Sequence, residues 1–361
     1  MINPAPSRIS SIDCLRGLAV VLMVQQHMMV WLWREAGTNL RLLLEEYPVV
    51  IACNALGGFA APLFITLAGA GAYLYLSTPG TKVVTLLCRG MVLFAFGLLL
   101  NLCVPSWFSP GSWYVLHVLG VCLAGAPLLR HVNKIVLFWM SFAAILCAPA
   151  LQYLIDTPLA MGNTRMSDFS LSGGVLRLAL VEGHFPVFPW AGFFIAGYIA
   201  GEFVRNHRPR PIFIHSMLYA GCGGLLALWG SLAKLSPDSF VYRIVTLSSR
   251  IYPAFAPLSF LLLGATLLLI GTGDAAERKF PLFKWTFGLQ LLGRSSLSML
   301  LLHVVVFRQL FIMWDLHRIF SLAQSVAIVL FFIALWVLLV FYWRKISLRG
   351  GAEWFMRTLS A

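Results

Sequence analysis

Charge is what this 361-residue chain has least of: Asp, Glu, Lys and Arg make up 11% of it, against 60% hydrophobic residues. A soluble fold of that length needs far more polar surface, so that class is excluded. Acids are scarcer than bases, 13 against 26, which leaves a net charge of +13. The bases fall in short loops between apolar runs, where the positive-inside bias accounts for them, so no nucleic-acid partner is expected. The 7 cysteines form no C-x-x-C pair and sit mostly in apolar runs, which argues against a disulfide or zinc framework and leaves no metal ligand set. P-loop, G-x-G-x-x-G, H-E-x-x-H and G-x-S-x-G motifs are also missing. Coupling to ATP, nicotinamide chemistry and metal hydrolysis therefore have no support. No small-residue cleavage site follows Trp33, so the first apolar run reads as a retained helix rather than a signal peptide. Neither an internal repeat nor a broken helix is legible.

What the chain has is apolar runs of spanning length. They predict ten membrane helices, near 14–33, 56–76, 84–104, 113–129, 135–155, 187–204, 212–232, 252–271, 286–307 and 322–343. The expected fold is all-α: a polytopic integral membrane helical bundle of about ten spans, forming one transmembrane domain over 1–361. Bases recur on alternate loops, at Arg8, Lys82 with Arg89, Arg130 with Lys134, Arg205 to Arg210, Arg278 to Lys284, and the tail from Arg344. By the positive-inside rule that side is the cytoplasm, with both termini in it. Three connections on the opposite side, 34–55, 156–186 and 233–251, are long, and loops that long inside a bundle are more often functional than merely connecting. They are expected to build a cavity or lid.

The most informative stretch is RISSIDCLRGLAVVLMVQQH, from Arg8 to His27. Asp13 and Arg16 are three residues apart, on one helix face, where pairing makes the arginine tolerable at the membrane boundary. His27, eleven residues beyond Arg16, lies about 16 Å further along nearly the same face. An ionisable group at that depth is a functional candidate. The pattern recurs: Arg89 and then Asn101 in the third span, Arg294 and then His303 in the ninth. His117 lies about one turn inside the fourth span, and Glu182, His184 and Trp190 stand at the mouth of the sixth. Cations at one end suit a phosphate-bearing ligand, and an imidazole at the other suits proton removal from a hydroxyl or amine. Together the three lines suggest a tunnel through the membrane. A transporter or flippase for a glycan or lipid-linked sugar would use the same lines as a substrate path.

The opening stretch resembles that of the transmembrane acyltransferase superfamily, especially bacterial relatives of heparan-α-glucosaminide N-acetyltransferase. Its arginine-to-histidine spacing is also similar to that of the acyltransferase-3 group. RGMVLFAFGLLLN, VLHVLGV, HFPVFPWAGFFIAG and LLGRSSLSMLLLH resemble later stretches of the same family. The resemblance implies an acetyltransferase of the bacterial inner membrane, taking acetyl-CoA from the cytoplasm and acetylating a sugar amine or hydroxyl on the far side, with membrane lipids around it. It would allow a homodimer. Arg16 and His27 match the family's signature pair. One position departs: the lysosomal enzyme has asparagine where His27 stands, with its proposed catalytic histidine further on, whereas this chain has no histidine between His27 and His117. The expected roles are His27 as general base with Arg16 and Asp13. Arg8, Arg16, Arg89, Arg294 and Asn101 would hold the donor, and Glu182, His184, His117, Trp190 and His303 the acceptor.

Overall fold

The computed structural model describes residues 9–248, 251–280 and 285–360. In chain order its helices are α1 (Ser10–Leu32), α2 (Leu40–Glu46), α3 (Pro48–Leu56), α4 (Ala60–Leu76), α5 (Val83–Cys103), α6 (Val115–Leu129), α7 (Lys134–Leu154), α8 (Asn163–Ser167), α9 (Gly174–Arg177), α10 (Val187–Arg205), α11 (Pro209–Leu232), α12 (Phe240–Val245), α13 (Ala256–Lys279), α14 (Phe287–Arg294), α15 (Ser296–Val304), α16 (Phe311–Met313), α17 (Leu322–Trp343) and α18 (Ala352–Leu359). No strand occurs among the described residues; the one extended pairing is an isolated parallel bridge between Trp33 and Phe320.

Nine helical runs among the described residues are long and apolar enough to cross a membrane, including the composites Pro48–Leu76 and Ser296–Met313. The expected all-α polytopic bundle is therefore what the chain forms. The fourth expected span corresponds to α6, whose 15 residues rise about 22 Å, short of the roughly 30 Å hydrocarbon layer. The ninth is broken rather than continuous. Ser295 leaves helical geometry at φ −117° and ψ 22°, and α15 then passes through a π-helical stretch, Val305–Leu310, into α16. Sequence periodicity cannot register a one-residue break between two apolar helices, so this discontinuity was not legible. The eighth span runs on to Lys279 because Asp274 and Arg278 pair across one turn and extend the helix past its apolar part.

The long connections are folded rather than loose. Residues 34–55 hold α2 and most of α3, 156–186 hold α8, α9 and a π-helical turn over Leu178–Glu182, and 233–251 hold α12. A cleft of about 560 Å³ opens between the last two, bordered by Asp156, Thr157, Asp238 and Arg243. It lies apart from the histidines described below.

Helix termini are satisfied from neighbouring elements, as buried or interfacial backbone groups require. Glu277 on α13 accepts from the backbone N–H groups of Ser10 (2.8 Å) and Ser11 (2.9 Å), capping α1. Ser321 and Gln324 form a reciprocal box at the start of α17. Close helix contacts depend on missing side chains. A Cβ on Gly17 would stand 1.9 Å from the carbonyl oxygen of Leu289, and one on Gly293 would stand 2.0 Å from that of Asp13. α1 and α14 thus touch backbone to backbone, the close approach that small residues allow in membranes.

Two apolar clusters result. One packs Leu63, Ile65, Phe193, Phe194 and Phe260 between α4, α10 and α13. The other packs Val24, Met28, Leu291, Met299 and Trp336 between α1, α14, α15 and α17. The second cluster frames the polar residues of α1.

Candidate functional site

Polar groups of α1 meet partners at both of its ends, and at both the partner comes from α14 or α15. At the amino-terminal end Asp13 lies 3.9 Å from Arg16 and accepts from Arg294 Nε at 3.1 Å. The pairing of Asp13 with Arg16 on one face is thus present, and it extends to a second cation. A Cβ on Gly71 of α4 would meet an Arg16 terminal nitrogen at 2.7 Å, so Arg16 lies against α4. Arg89 stacks over Tyr75, 4.9 Å from the ring centre, and donates through Nε to Ser360 at 3.2 Å. Gly71 and Tyr75 are one helical turn apart, which brings Arg16, Arg89 and Arg294 to the same end of the bundle. Arg8 and Lys284 lie outside the described residues. Other loop bases reach this end as well: Arg278 donates to the His207 carbonyl at 2.6 Å, and Lys134 pairs with Glu202.

The carboxyl-terminal segment closes over this basic end. Glu353 on α18 accepts from the backbone N–H groups of Leu297 (2.7 Å) and Ser298 (2.9 Å) and from the Ser298 hydroxyl (2.5 Å). It therefore supplies the negative cap that the start of α15 needs after the break at Ser295.

Three turns further along α1 is the second meeting point. His27 Nδ1 and His303 Nε2 are 3.0 Å apart, and the two rings are nearly parallel, 5.3 Å between centres. His303 Nδ1 lies 2.9 Å from the Met299 carbonyl, one turn earlier on α15. Indoles enclose the pair. Trp31, one turn after His27, lies 5.1 Å from its ring and 5.9 Å from that of His303, and Trp107 meets His27 edge-on at 5.3 Å. His303 is completely buried, whereas His27 is partly accessible. Among the described residues no hydrogen bond is made to His27 Nε2 beyond this pairing at Nδ1.

The remaining expected residues surround this cage at different removes. His184 lies beyond Trp107, 6.4 Å between ring centres. Its Nε2 donates to Asn163 Oδ1 at 2.7 Å, and Asn163 in turn donates to the Trp107 carbonyl at 2.9 Å. Burial pushes the His184 imidazole down to about 4, so it is neutral at pH 7, and its Nδ1 is buried without a partner. Glu182, two residues earlier, is fully enclosed. Its carboxylate accepts from Thr157 (2.8 Å), Arg165 (3.1 Å) and Arg177 (2.7 Å). Burial alone would raise its pKa, but these bonds hold it below the ordinary glutamate value. Arg243 is tied to the same knot through the Thr157 carbonyl.

His117 stacks on Trp113 and accepts at Nδ1 from the Tyr114 N–H at 3.2 Å, two rings removed from Trp107 by way of Tyr114 and Phe108. Asn101 donates to the carbonyls of Pro110 (3.2 Å) and Ser112 (2.9 Å), fixing the 104–114 connection that presents Trp107. Trp190 is buried against Phe185 and Phe193. So His27 and His303 are in direct contact and His184 adjoins their cage. Glu182, His117, Asn101 and Trp190 sit behind it.

Sequence reasoning missed the cage itself. Trp31 is four residues after His27 and could have been found by helical spacing; Trp107 lies in an irregular connection and carries no such signal. Missed too was a cationic rim above the cage. Arg308, one π-helical turn past His303, lies 2.8 Å from His317 Nε2 and donates to the Ser106 carbonyl at 2.9 Å. Arg318 donates through its backbone to the Trp31 carbonyl (2.8 Å) and through Nε to that of Val30 (3.1 Å).

A family model described as heparan-alpha-glucosaminide N-acetyltransferase, catalytic, matches residues 8–234. No match was found among curated proteins.

Proposed function

The chain belongs to the heparan-alpha-glucosaminide N-acetyltransferase family, and we propose that it moves an acetyl group from acetyl-CoA at its basic end to a sugar amine or hydroxyl at the end where the histidines lie. One observation carries this reading. The same two helical runs, α1 and α14–α15, are joined by Asp13 with Arg294 (3.1 Å) at one end and by His27 with His303 (3.0 Å) at the other. Donor-binding charge and proton-transfer chemistry thus share one frame, with Arg16 and His27 about 16 Å apart along α1.

Arg16, Arg89 and Arg294 bind the phosphates of the donor, since guanidinium pairs with phosphate through two parallel bonds. By the distribution of loop bases that end faces the cytoplasm. Asp13 keeps two of these cations in place. The thioester is brought to His27, whose Nε2 removes the proton as the acceptor nitrogen or oxygen attacks the acetyl carbon. The carbon–sulfur bond breaks, and the imidazolium returns the proton to the leaving thiolate, giving free CoA and the acetylated sugar. His184 borders the acceptor from the far side of Trp107, while Glu182, His117, Asn101 and Trp190 hold the surrounding connections.

A carrier for a glycan would use a broken helix whose free terminus faces the ligand. The break at Ser295 is not of that kind, because the α15 start is capped by Glu353. The test is incubation of purified protein, reconstituted in vesicles, with radiolabelled acetyl-CoA and a panel of amino sugars. Label transfer and acceptor-dependent release of CoA support the enzyme; sugar movement without either overturns it. In the same assay His27→Ala should lower transfer by about 10²- to 10⁴-fold while leaving CoA binding within a factor of about two, because the histidine acts in proton transfer rather than donor binding.

A further inference from the structure

We infer that His303 is a positioning residue for His27: it fixes the proton of His27 on Nδ1 and leaves Nε2 as the free lone pair. The inference deepens the acetyltransferase reading and rests on it for its catalytic consequence, though not for the hydrogen bond itself.

The Met299 carbonyl can only accept, so the contact of 2.9 Å with His303 Nδ1 requires a proton on that nitrogen. A neutral imidazole with its proton on Nδ1 presents a lone pair at Nε2. That Nε2 faces His27 Nδ1 at 3.0 Å, so His27 must be the donor there. The proton of His27 is then on Nδ1, and its own Nε2 is an acceptor. The donor order along the pair is set by the backbone of α15, through the Met299 carbonyl. The opposite sequence would need a second proton on His303, a cation fully buried among Trp31, Met299 and the first histidine. Such a charge without a carboxylate partner is the more costly arrangement.

The consequence is a triad logic in which a second imidazole stands where a carboxylate usually does. When Nε2 of His27 takes a proton, the positive charge on that ring is shared through Nδ1–H with the lone pair of His303, which in turn leans on the Met299 carbonyl dipole. The near-parallel stacking at 13° and the flanking indoles hold both rings in the orientation the bond needs. His303 does not touch the acceptor in this scheme. The family match ends at residue 234, so the positioning group comes from the part of the chain outside it.

The experiment uses the full-length protein in lipid nanodiscs and compares His303→Leu with His303→Gln. Leucine keeps bulk but offers no acceptor, whereas the glutamine side-chain oxygen can reach the place of the imidazole Nε2. Loss of the correct tautomer in a serine-protease triad costs about 10⁴-fold. His303→Leu is therefore expected to lower kcat by about 10²-fold or more with the acceptor KM changed less than about two-fold, and His303→Gln to recover at least about ten-fold of that loss. His27→Ala with His303→Leu should be no slower than His27→Ala alone. In parallel, nitrogen-15 spectra of histidine-labelled protein, assigned by the two variants, should show His27 protonated at Nδ1 and bare at Nε2, and a mixture of tautomers in His303→Leu. A rise in acceptor KM at unchanged kcat, a glutamine variant as slow as the leucine one, or a proton on His27 Nε2 overturns the inference. If the wild type transfers no acetyl group, the acetyltransferase reading fails, while the nitrogen spectrum still decides the hydrogen bond.

Discussion

Two clusters of buried ionisable groups lie on the same end of this bundle, and they are built on opposite rules. Around Glu182 an enclosed carboxylate is met by Thr157, Arg165 and Arg177, so both its oxygens are occupied and its charge is balanced. Around His27 no carboxylate stands among the described residues; two imidazoles bond to each other and to one carbonyl, inside a wall of indole. The first arrangement engages both oxygens with protein, folds the 156–186 connection onto itself, and reaches Arg243 of the 233–251 connection through the Thr157 carbonyl. The second leaves one nitrogen of a partly accessible ring without a protein bond among the described residues. Satisfied charge is what a scaffold needs, whereas an imidazole with a free lone pair is what proton transfer needs.

That contrast can be broken at either cluster. The largest effect is expected from His27→Ala: turnover should fall by about 10²- to 10⁴-fold while the thermal midpoint, read by a dye or by scattering in detergent, moves little. Next comes Glu182→Ala, which leaves Arg165 and Arg177 beside an empty buried site. Breaking a buried pair in this way costs about 3–5 kcal/mol, so denaturant midpoints should drop sharply, and protein that stays folded should keep its turnover. An inactive but fully stable Glu182 variant would erase the distinction between the clusters.

A smaller effect is expected where the frame of the histidine pair is set. Gly293→Ala forces α1 and α14 apart, because the added carbon would stand 2.0 Å from the Asp13 carbonyl oxygen; overpacking of that sort costs about 1–3 kcal/mol. Thermal unfolding should register the loss, and proximity of His27 to His303, read by paired-cysteine crosslinking, should decline with it. The smallest effect is on acid titration. His184 is held neutral, its pKa lowered from 6.5 to about 4 by burial, so below 6.5 the unfolded chain binds the extra proton and stability falls as pH drops toward 4. Between pH 7 and 5.5 the loss should be about 1 kcal/mol, and it should vanish in His184→Gln. Glu182 acts lower: its pKa lies below the ordinary 4.5, so its contribution is present above that value and is lost as pH falls through the folded one.

The all-α polytopic character was legible because apolar runs of spanning length need no tertiary context to be recognised. Positions along a helix were legible too: the eleven-residue step from Arg16 to His27 fixes their separation along α1 whatever surrounds them. What could not be read was which element would stand beside which. Nothing local to Met299 or His303 reveals that α15 will lie against α1, and nothing in the span 286–307 reveals the interruption at Ser295. The long connections were legible as unusual by length alone, but the folding of 156–186 and 233–251 into α8, α9 and α12 depends on bonds to other segments, from Asn163 to the Trp107 carbonyl and from Arg243 to the Thr157 carbonyl. The family match, likewise, reaches only residues 8–234, and so includes His27 but neither Arg294 nor His303.

The bonds from Arg294 to Asp13 and from His303 to His27 join positions 281 and 276 residues apart. During synthesis, α1 enters the bilayer long before either partner exists. The imidazole must therefore wait, bonded to water, lipid headgroups or the insertion machinery, and the aspartate with only Arg16 of its own helix, until the final third of the chain is made. Maturation of the site is then tied to the last helices to be inserted: a ribosome that stops short of them leaves a bundle whose first helix is still only provisionally seated.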